Sequence, residues 1–432
     1  MNHNNLRVIE ISTMRQQSSL TFLGLVLAGA AAMGLAASVA AQSFEPAPSL
    51  KARDLLPASL VKGPRHEVSE AVKADGFLTG FAVTSSFGTW EAVDREMLEI
   101  RVQEVYALDR LSEVSKTEVF AAAFARAAQQ KAKAVAHVAA DPVGTAKALP
   151  GGVARFAKGV GRSVKGAADK VTSDKGDEGK DTRTAEQKTQ DAAAAAAESI
   201  LISGKRREWA AKVGADPYTT NKLLSDKLDD MAWAAYAGGF ALNVAIPTVP
   251  GLGVVETADK MVYQLPPAEL QKRNAEKLKA AGVSDDTRKA LFVNRAFTTT
   301  LQTELAEAVA ALGAATGMNE VVMLAAESKT EGDARYIRRC VQLLAAGAKQ
   351  AGGWKALTTG RNEIEAVAAD GRLVLPWAAD YMTWNEETVP EDSPPVISAK
   401  AREIWITGVA TPRAKQELKT KGFAVVEKRP VR

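Results

Sequence analysis

One stretch of this sequence cannot contribute to a packed core, and it therefore limits how the chain can fold. Residues 172–191 are almost entirely charged or small polar, and Ala185 is the only hydrophobic residue among them. A segment with so little apolar surface cannot offset the conformational entropy that it loses on folding. We therefore predict a flexible charged linker at 172–191, with a folded part on each side of it.

The N-terminus has the three parts of a secretory signal peptide. Arg7 and Arg15 precede an apolar run that starts at Leu20 and ends in small residues at Ala41. That order is typical of a signal that is cleaved after its last small residue. We predict cleavage after Ala41 and a periplasmic or secreted protein. The alternative is an uncleaved N-terminus that anchors the chain in the inner membrane, because the run is long enough to span a bilayer.

Most of the remaining sequence has the periodicity of amphipathic helices. Apolar residues recur every three or four positions, and short loops separate the segments, as expected for neighbouring antiparallel helices. Residues that can cap a helix N-terminus precede several segments: Asp94, Ser115, Asn221, Ser284 and Thr411. Ser115 and Glu118 also have the spacing of a capping box.

Short β elements are predicted near both ends of the chain. Residues 77–93 have the β-branched and aromatic content of a hairpin. Residues 363–375 predict a second hairpin, because their Asp-Gly pair suits a tight turn. Residues 403–426 predict a β-α-β unit, which either forms a small end domain or completes a sheet with the N-terminal strands.

These signals together predict an α+β protein that is mostly α, an exported multi-helix chain with small β elements near both ends. Its parts are a signal peptide (1–41), an N-terminal hairpin plus helices (42–171), the linker (172–191), a helical domain (192–350) and a C-terminal α/β unit (351–432). A single cysteine allows no internal disulfide, so core packing must stabilise these parts.

The residue types that most enzymes and metal sites require are scarce. After residue 41 the chain has two histidines, His66 and His137, and one cysteine, Cys340. No phosphate-binding loop or nucleophile motif is present, so we expect no metal and no organic cofactor. We predict that Cys340 is buried on a helix and that His66 is solvated. The formal charge of +4 gives no reason to expect a nucleic-acid partner.

A basic amphipathic segment at 151–171 is the first candidate for a binding surface. Its apolar residues fall on one helical face, and no acidic residue occurs between Asp141 and Asp169. Such a helix can lie in the headgroup region of an anionic membrane. The alternative is a helix packed on the core with a solvated basic rim. The candidate membrane contacts are Arg155, Phe156, Lys158, Arg162 and Lys165.

The uncharged stretch 231–255 and a C-terminal aromatic cluster are two further candidates. The stretch predicts a buried helix followed by an apolar loop, or a hairpin that enters the membrane; Pro247 and Pro250 disfavour a lipid-exposed helix. The aromatic cluster suits contact with a sugar or a peptide, or else covers a small sheet. The candidate ligand contacts are Trp377, Asp380, Tyr381 and Trp384.

The leading functional expectation is a non-enzymatic exported envelope protein with a binding or structural role. Its partner would be an anionic membrane surface or another envelope protein. One alternative is a carboxylate-dependent hydrolase of envelope polymers, with Asp380 and either Glu386 or Glu387 in one cleft. A second alternative is a membrane-perturbing effector, in which 151–171 and 231–255 share one exposed face.

The N-terminal pattern makes a testable prediction about processing. We expect the mature protein to begin at or near Gln42 and to be recovered from the periplasm or the medium, because the residues before it form a cleavable signal. N-terminal sequencing of the purified protein measures this. An intact Met1 in the membrane fraction would instead support the uncleaved anchor.

Overall fold

The computed structural model of the chain describes residues 44–127, 185–239, 260–360, 363–390 and 399–431. The predicted signal peptide, the segment 151–171 and His137 lie outside these ranges. Within them the fold is a mixture of helices and strands, which confirms the α+β prediction. None of the helices in the described ranges is long and apolar enough to cross a membrane.

The N-terminal part is a small antiparallel sheet covered by one long helix. Strand β4 lies at its centre and pairs with β2 and β3 along one edge and with β5 along the other. The elements are β1 (Leu50–Lys51), α1 (Ala52–Leu55), α2 (Ala58–Val61), β2 (His66–Val68), β3 (Ala71–Ala74), β4 (Thr79–Ser85), β5 (Gly88–Ala92) and α3 (Arg95–Ser115). The hairpin predicted at 77–93 is thus confirmed as β4 and β5.

The central part consists of helices that pack on one another, and the prediction of antiparallel neighbours is wrong for two of its pairs, because Asn274 and Lys277 contact Thr303 and Glu307 in parallel order, and Ser284 and Asn294 contact Asn319 and Ala326 in parallel order. Its elements are α4 (118–127), α5 (Ala185–Val213), α6 (Lys222–Gly238), α7 (Lys260–Gln264), α8 (Pro267–Ala280), α9 (Asp285–Val293), α10 (Thr299–Ala311), α11 (Met318–Ala326) and α12 (Glu331–Gly347). Helix α5 packs on α6, α10 packs on both α8 and α12, and α9 packs on α11. Helix α5 begins at Ala185, inside the stretch predicted as linker, because the alanine run that follows strongly favours helix.

The predicted N-caps are confirmed except for Ser115. The side chains of Asp94, Asn221, Ser284 and Thr411 each accept a backbone N–H three residues later. Ser115 instead lies in the last turn of α3, where its hydroxyl donates to the carbonyl of Leu111 at 2.7 Å. Thr117 accepts from the backbone N–H of Phe120 and caps α4 in its place. Ser115 and Thr117 are both possible caps for α4. Because α3 extends through Ser115, Thr117 is the one that caps it.

The C-terminal part is a five-stranded sheet with the order β12-β10-β8-β7-β6. Its elements are β6 (Trp354–Gly360), β7 (Glu363–Ala368), β8 (Leu373–Trp377), β9 (Tyr381–Met382), a 3₁₀ turn (Glu386–Thr388), β10 (Arg402–Ile406), β11 (Val409–Ala410), α13 (Pro412–Thr420) and β12 (Phe423–Val426). Strand β10 is parallel to β8 and β12, whereas β7 is antiparallel to β6 and β8. The β-α-β unit therefore completes a sheet with the C-terminal hairpin, and the alternative that pairs it with the N-terminal strands is wrong.

The largest core lies between helices α8–α12 and this sheet. Trp354 meets Trp405 edge-on, with ring centroids 5.7 Å apart, and donates from its indole N–H to the carbonyl of Leu344 at 3.0 Å. Cys340 lies in the same core, as predicted.

His66 is buried, so the prediction that it is solvated is wrong. Its Nε2 lies 3.1 Å from the carbonyl of Leu60, and its ring packs against Tyr106. Burial lowers the pKa of His66. The prediction failed because the irregular sequence around it gives no sign that β2 pairs with β4. In the uncharged stretch, Met231 to Ala235 form a buried part of α6, and residues 240–255 lie outside the described residues.

Gly317 offers a test of the contact between α11 and the sheet. Its φ of +85° and the position of an added Cβ, 1.8 Å from the carbonyl oxygen of Leu357, both exclude a side chain. Gly282 has nearly the same φ, +84°, but open space around it. Gly282→Ala should lower the free energy of unfolding by about 1 kcal/mol through backbone strain. Gly317→Ala should cost a further 1–3 kcal/mol or so because β6 must move. Equal losses in urea unfolding would contradict this close approach.

Candidate functional site

Three guanidinium groups on α12 are buried in the described interior. Thr330 and Asp333 fix the start of this helix with a reciprocal capping box. One or two turns later, Arg335, Arg338 and Arg339 are 7%, 0% and 5% exposed. A buried cation is stable only when carboxylates or other acceptors surround it. We call these three residues the arginine cluster.

Arg339 joins three parts of the chain through its two terminal nitrogens. One nitrogen donates to Asp94 at 2.8 Å, and the other donates to Asp380 and to the hydroxyl of Thr407, both at 3.1 Å. Asp94 also caps α3 by accepting from the backbone N–H of Met97. The N-terminal sheet and α3, the central helices and the C-terminal sheet therefore meet at one guanidinium.

Arg338, next to Arg339 in α12, contacts a second set of hydrogen-bond acceptors. It donates to Glu96 of α3 and to Gln342 of its own helix, and its Nε lies 3.4 Å from Glu304 of α10. Burial alone would raise the pKa of Glu96, but the arginine cluster outweighs this effect and lowers that pKa to about 2. Glu96 is therefore an ionised partner of the cluster at neutral pH.

Asp380, a predicted ligand contact, is a structural partner of Arg339. Its second carboxylate oxygen accepts from the hydroxyl of Thr79 at 3.0 Å and from the backbone N–H of Arg95 at 3.2 Å. Burial raises the pKa of Asp380, and Arg339 opposes this shift. The hydrolase alternative pairs Asp380 with Glu386 or Glu387 in one cleft. Both glutamates are instead exposed on the 3₁₀ turn, whereas Asp380 is largely buried.

The predicted aromatic contacts divide between the core and a partly exposed position. Trp377 and Trp384 are 2% and 0% exposed and belong to the core beneath α13. Phe77 packs on Trp377 with ring centroids 5.5 Å apart. Tyr381 is only partly buried. The two tryptophans thus cover the sheet and present no open ring face to a ligand.

A small polar cleft lies between α3, the loop after α5 and the start of α12. Its charged lining residues are Arg101, Glu104, Asp216, Glu331 and Arg335. Arg101 donates to Glu104 at 2.6 Å, and Asn221 donates to the same carboxylate at 3.0 Å. Arg335 donates to Glu331 at 2.7 Å. The carboxylates of the cleft are therefore tied to neighbouring side chains.

Two of these carboxylates have pKa values shifted in opposite directions. Burial raises the pKa of Asp216, although the Thr300 hydroxyl and the Tyr218 backbone N–H both donate to it. For Glu331, burial opposes ionisation, but Arg335, the Thr220 hydroxyl and Arg101 together outweigh it and lower the pKa. The sequence prediction for 216–221 was a turn only. The concentration of side-chain oxygens in that turn is the one local signal that could have indicated the cleft.

The candidate membrane contacts lie in the segment that connects α4 to α5. Arg155, Phe156, Lys158, Arg162 and Lys165 are outside the described residues. Ala127, the last described residue of α4, packs with Ile202 of α5 and Trp233 of α6. Gly239, shortly after Trp233, is the last described residue that follows α6. We call this group of packed residues the α4–α6 end.

Metal and thiol chemistry find no support in the described ranges. No group of His, Cys, Asp or Glu side chains there is arranged to hold a metal ion. Burial raises the pKa of the Cys340 thiol to about 11, which keeps it protonated and unreactive at neutral pH.

Comparisons with protein-family models, with curated proteins and with solved structures find no match to this chain.

The arginine cluster makes a testable prediction about stability. Arg339→Met should lower the free energy of unfolding by about 3–5 kcal/mol, because Asp94 and Asp380 then stay buried without their cation. Adding Asp94→Asn and Asp380→Asn should recover much of this loss, since asparagine still caps α3.

Urea unfolding measures these changes, and Arg413→Met is the control. Arg413 pairs with Glu417 at the surface, where removal of the pair costs about 1 kcal/mol at most. A loss for Arg339→Met no larger than for the control would contradict the role given to the cluster.

Proposed function

We propose that this chain is an exported envelope protein with a binding or structural role, and that it contacts an anionic membrane surface through residues 151–171. The observation that carries the proposal is the packing of Ala127 against α5 and α6. Because α4 precedes residues 151–171 and α5 follows them, the basic segment is attached on both sides to one helical group. An attached amphipathic segment can bring that group to the headgroup region.

The contacts of the carboxylates favour binding over hydrolysis. Asp380 accepts hydrogen bonds on both oxygens, and its predicted partners Glu386 and Glu387 lie on an exposed turn. We keep a carboxylate-dependent hydrolase as a second candidate because of one observation. Asp216 and Glu331 line the same cleft with opposite pKa shifts, which is a feature of acid–base pairs.

The proposed membrane contact predicts strong, charge-dependent binding to vesicles. Replacing Arg155, Lys158, Arg162 and Lys165 by Gln should weaken binding to anionic vesicles by about two to three orders of magnitude at low salt. Each basic side chain contributes on the order of 1 kcal/mol at such a surface. Sedimentation with anionic and with neutral vesicles measures the effect, using protein purified from the envelope.

The matched control removes the same charge from elsewhere on the surface. Lys62, Lys73, Lys222 and Lys289 have side chains 67%, 81%, 80% and 68% exposed, and their replacement by Gln should leave vesicle binding nearly unchanged. If 151–171 is instead packed on the core, wild-type protein will not bind anionic vesicles. Phe156→Ala will then lower the free energy of unfolding by about 3–5 kcal/mol. Leakage of dye from the vesicles would indicate the membrane-perturbing alternative.

A further inference from the structure

One buried arginine of α5 lacks the ion pair that the other buried arginines of the described ranges possess. Arg207 is 6% exposed, and none of the described carboxylates forms an ion pair with it. A buried cation without a counter-charge loses its hydration and gains no attraction in return. The other buried arginines are each paired: Arg206 with Asp229, Arg335 with Glu331, Arg338 with Glu96, and Arg339 with Asp94 and Asp380.

The unpaired side of the Arg207 guanidinium is the edge that suits an anion. Its Nη1 donates to the hydroxyl of Ser203 at 3.0 Å. Its Nε is buried and has no hydrogen-bond partner, and none of the described residues accepts from its Nη2. Nε and Nη2 together form the side of a guanidinium that donates two parallel hydrogen bonds to a carboxylate or a phosphate.

Two neighbours of that edge supply a further donor and an opening. The Tyr218 hydroxyl is buried and lacks a hydrogen-bond partner of good geometry. Burial raises the pKa of Tyr218 to about 12, whereas the charge of Arg207 beside it lowers that pKa. The phenol therefore keeps a proton that it can donate at neutral pH. Gly204 is partly exposed, and a Cβ in its place would lie 3.8 Å from Nη2 of Arg207. A glycine inside a helix lowers its stability relative to alanine, but here it leaves the approach to Nη2 open.

We propose that Arg207 and Tyr218 bind a phosphate group, either free or in the headgroup of a lipid. The guanidinium edge donates to two of its oxygens and the phenol to a third, and the anion supplies the missing counter-charge. Three donors match a phosphate better than a carboxylate, which has only two oxygens. The inference rests on the proposed function only for the lipid as the source of the phosphate. In that case it gives the membrane contact a specific headgroup site on α5, the helix that follows 151–171.

The first test measures the affinity for inorganic phosphate by calorimetry at constant ionic strength, with protein purified from the envelope. Arg207→Met should abolish binding. Arg207→Lys should weaken it at least about tenfold, because lysine keeps the charge but not the two parallel hydrogen bonds. Tyr218→Phe should weaken it about three- to tenfold through the loss of one donor. The control Arg413→Met removes a surface guanidinium and should leave the affinity unchanged.

Melting temperatures separate loss of the site from loss of the fold. In phosphate-free buffer Arg207→Met should melt at or above the wild-type temperature, because it removes an unpaired buried charge. Added phosphate should raise the melting temperature of wild-type protein and not that of Arg207→Met. A destabilisation as large as that of Arg339→Met would mean that a carboxylate of this chain pairs with Arg207, and the inference would be wrong.

Vesicles of phosphatidylcholine and phosphatidylglycerol distinguish a lipid headgroup from free phosphate. If the site holds a headgroup, Arg207→Met lowers vesicle binding at least about tenfold and Arg413→Met does not. If Arg207→Met abolishes phosphate binding but leaves vesicle binding unchanged, the ligand is free phosphate, and both proposals stand. If wild-type protein binds phosphate through Arg207 but ignores vesicles, the proposed function falls and the inference stands. Wild-type protein that binds no phosphate overturns the inference, whatever it does with vesicles.

Discussion

The pairing of the buried Arg339 guanidinium with Asp94 and Asp380 is the interaction on which the rest of the structure depends. Separating any one of the three parts that it joins would leave a charge buried without its partner, or would expose the whole cluster to water. The largest apolar core joins the central helices to the C-terminal sheet. The ion pairs also join the N-terminal part and restrict the orientation of all three, because a guanidinium donates hydrogen bonds in only a few directions. These contacts also cross the boundaries that the sequence predicts between 42–171, 192–350 and 351–432.

Local signals predicted most helices and several strands, because capping and turn chemistry act over a few residues. Asn221, Ser284 and Thr411 cap the helices that follow them, and Gly422 has the positive φ, +84°, expected after α13. The failures share a different cause. The burial of His66 and the partners of β10 depend on strands that lie farther along the chain. Periodicity carries no information about such partners.

The candidate sites show the same limit. Arg339 and Asp94 are 245 positions apart, and Asp216 and Thr300 are 84 apart, so no spacing rule could have paired them. Trp377 and Trp384 could be singled out in the sequence, but tryptophan suits both a ligand contact and the cover of a sheet. Only the burial of the side chain distinguishes the two roles. The membrane contacts stay predictions, because they rest on the charge pattern of the sequence. The described contacts add only which helices precede and follow the segment.

The contact at Gly317 has a consequence for solubility as well as for stability. Thr316 donates its backbone N–H to the carbonyl of Lys355 at 3.1 Å and accepts from the N–H of Leu357 at 2.8 Å, and so occupies hydrogen-bonding groups on the open edge of β6. An unoccupied edge strand is a template on which a strand of another molecule can pair. The loop before α11 therefore covers this part of the edge, and a chain without it would expose two more backbone groups to pairing with a neighbouring molecule.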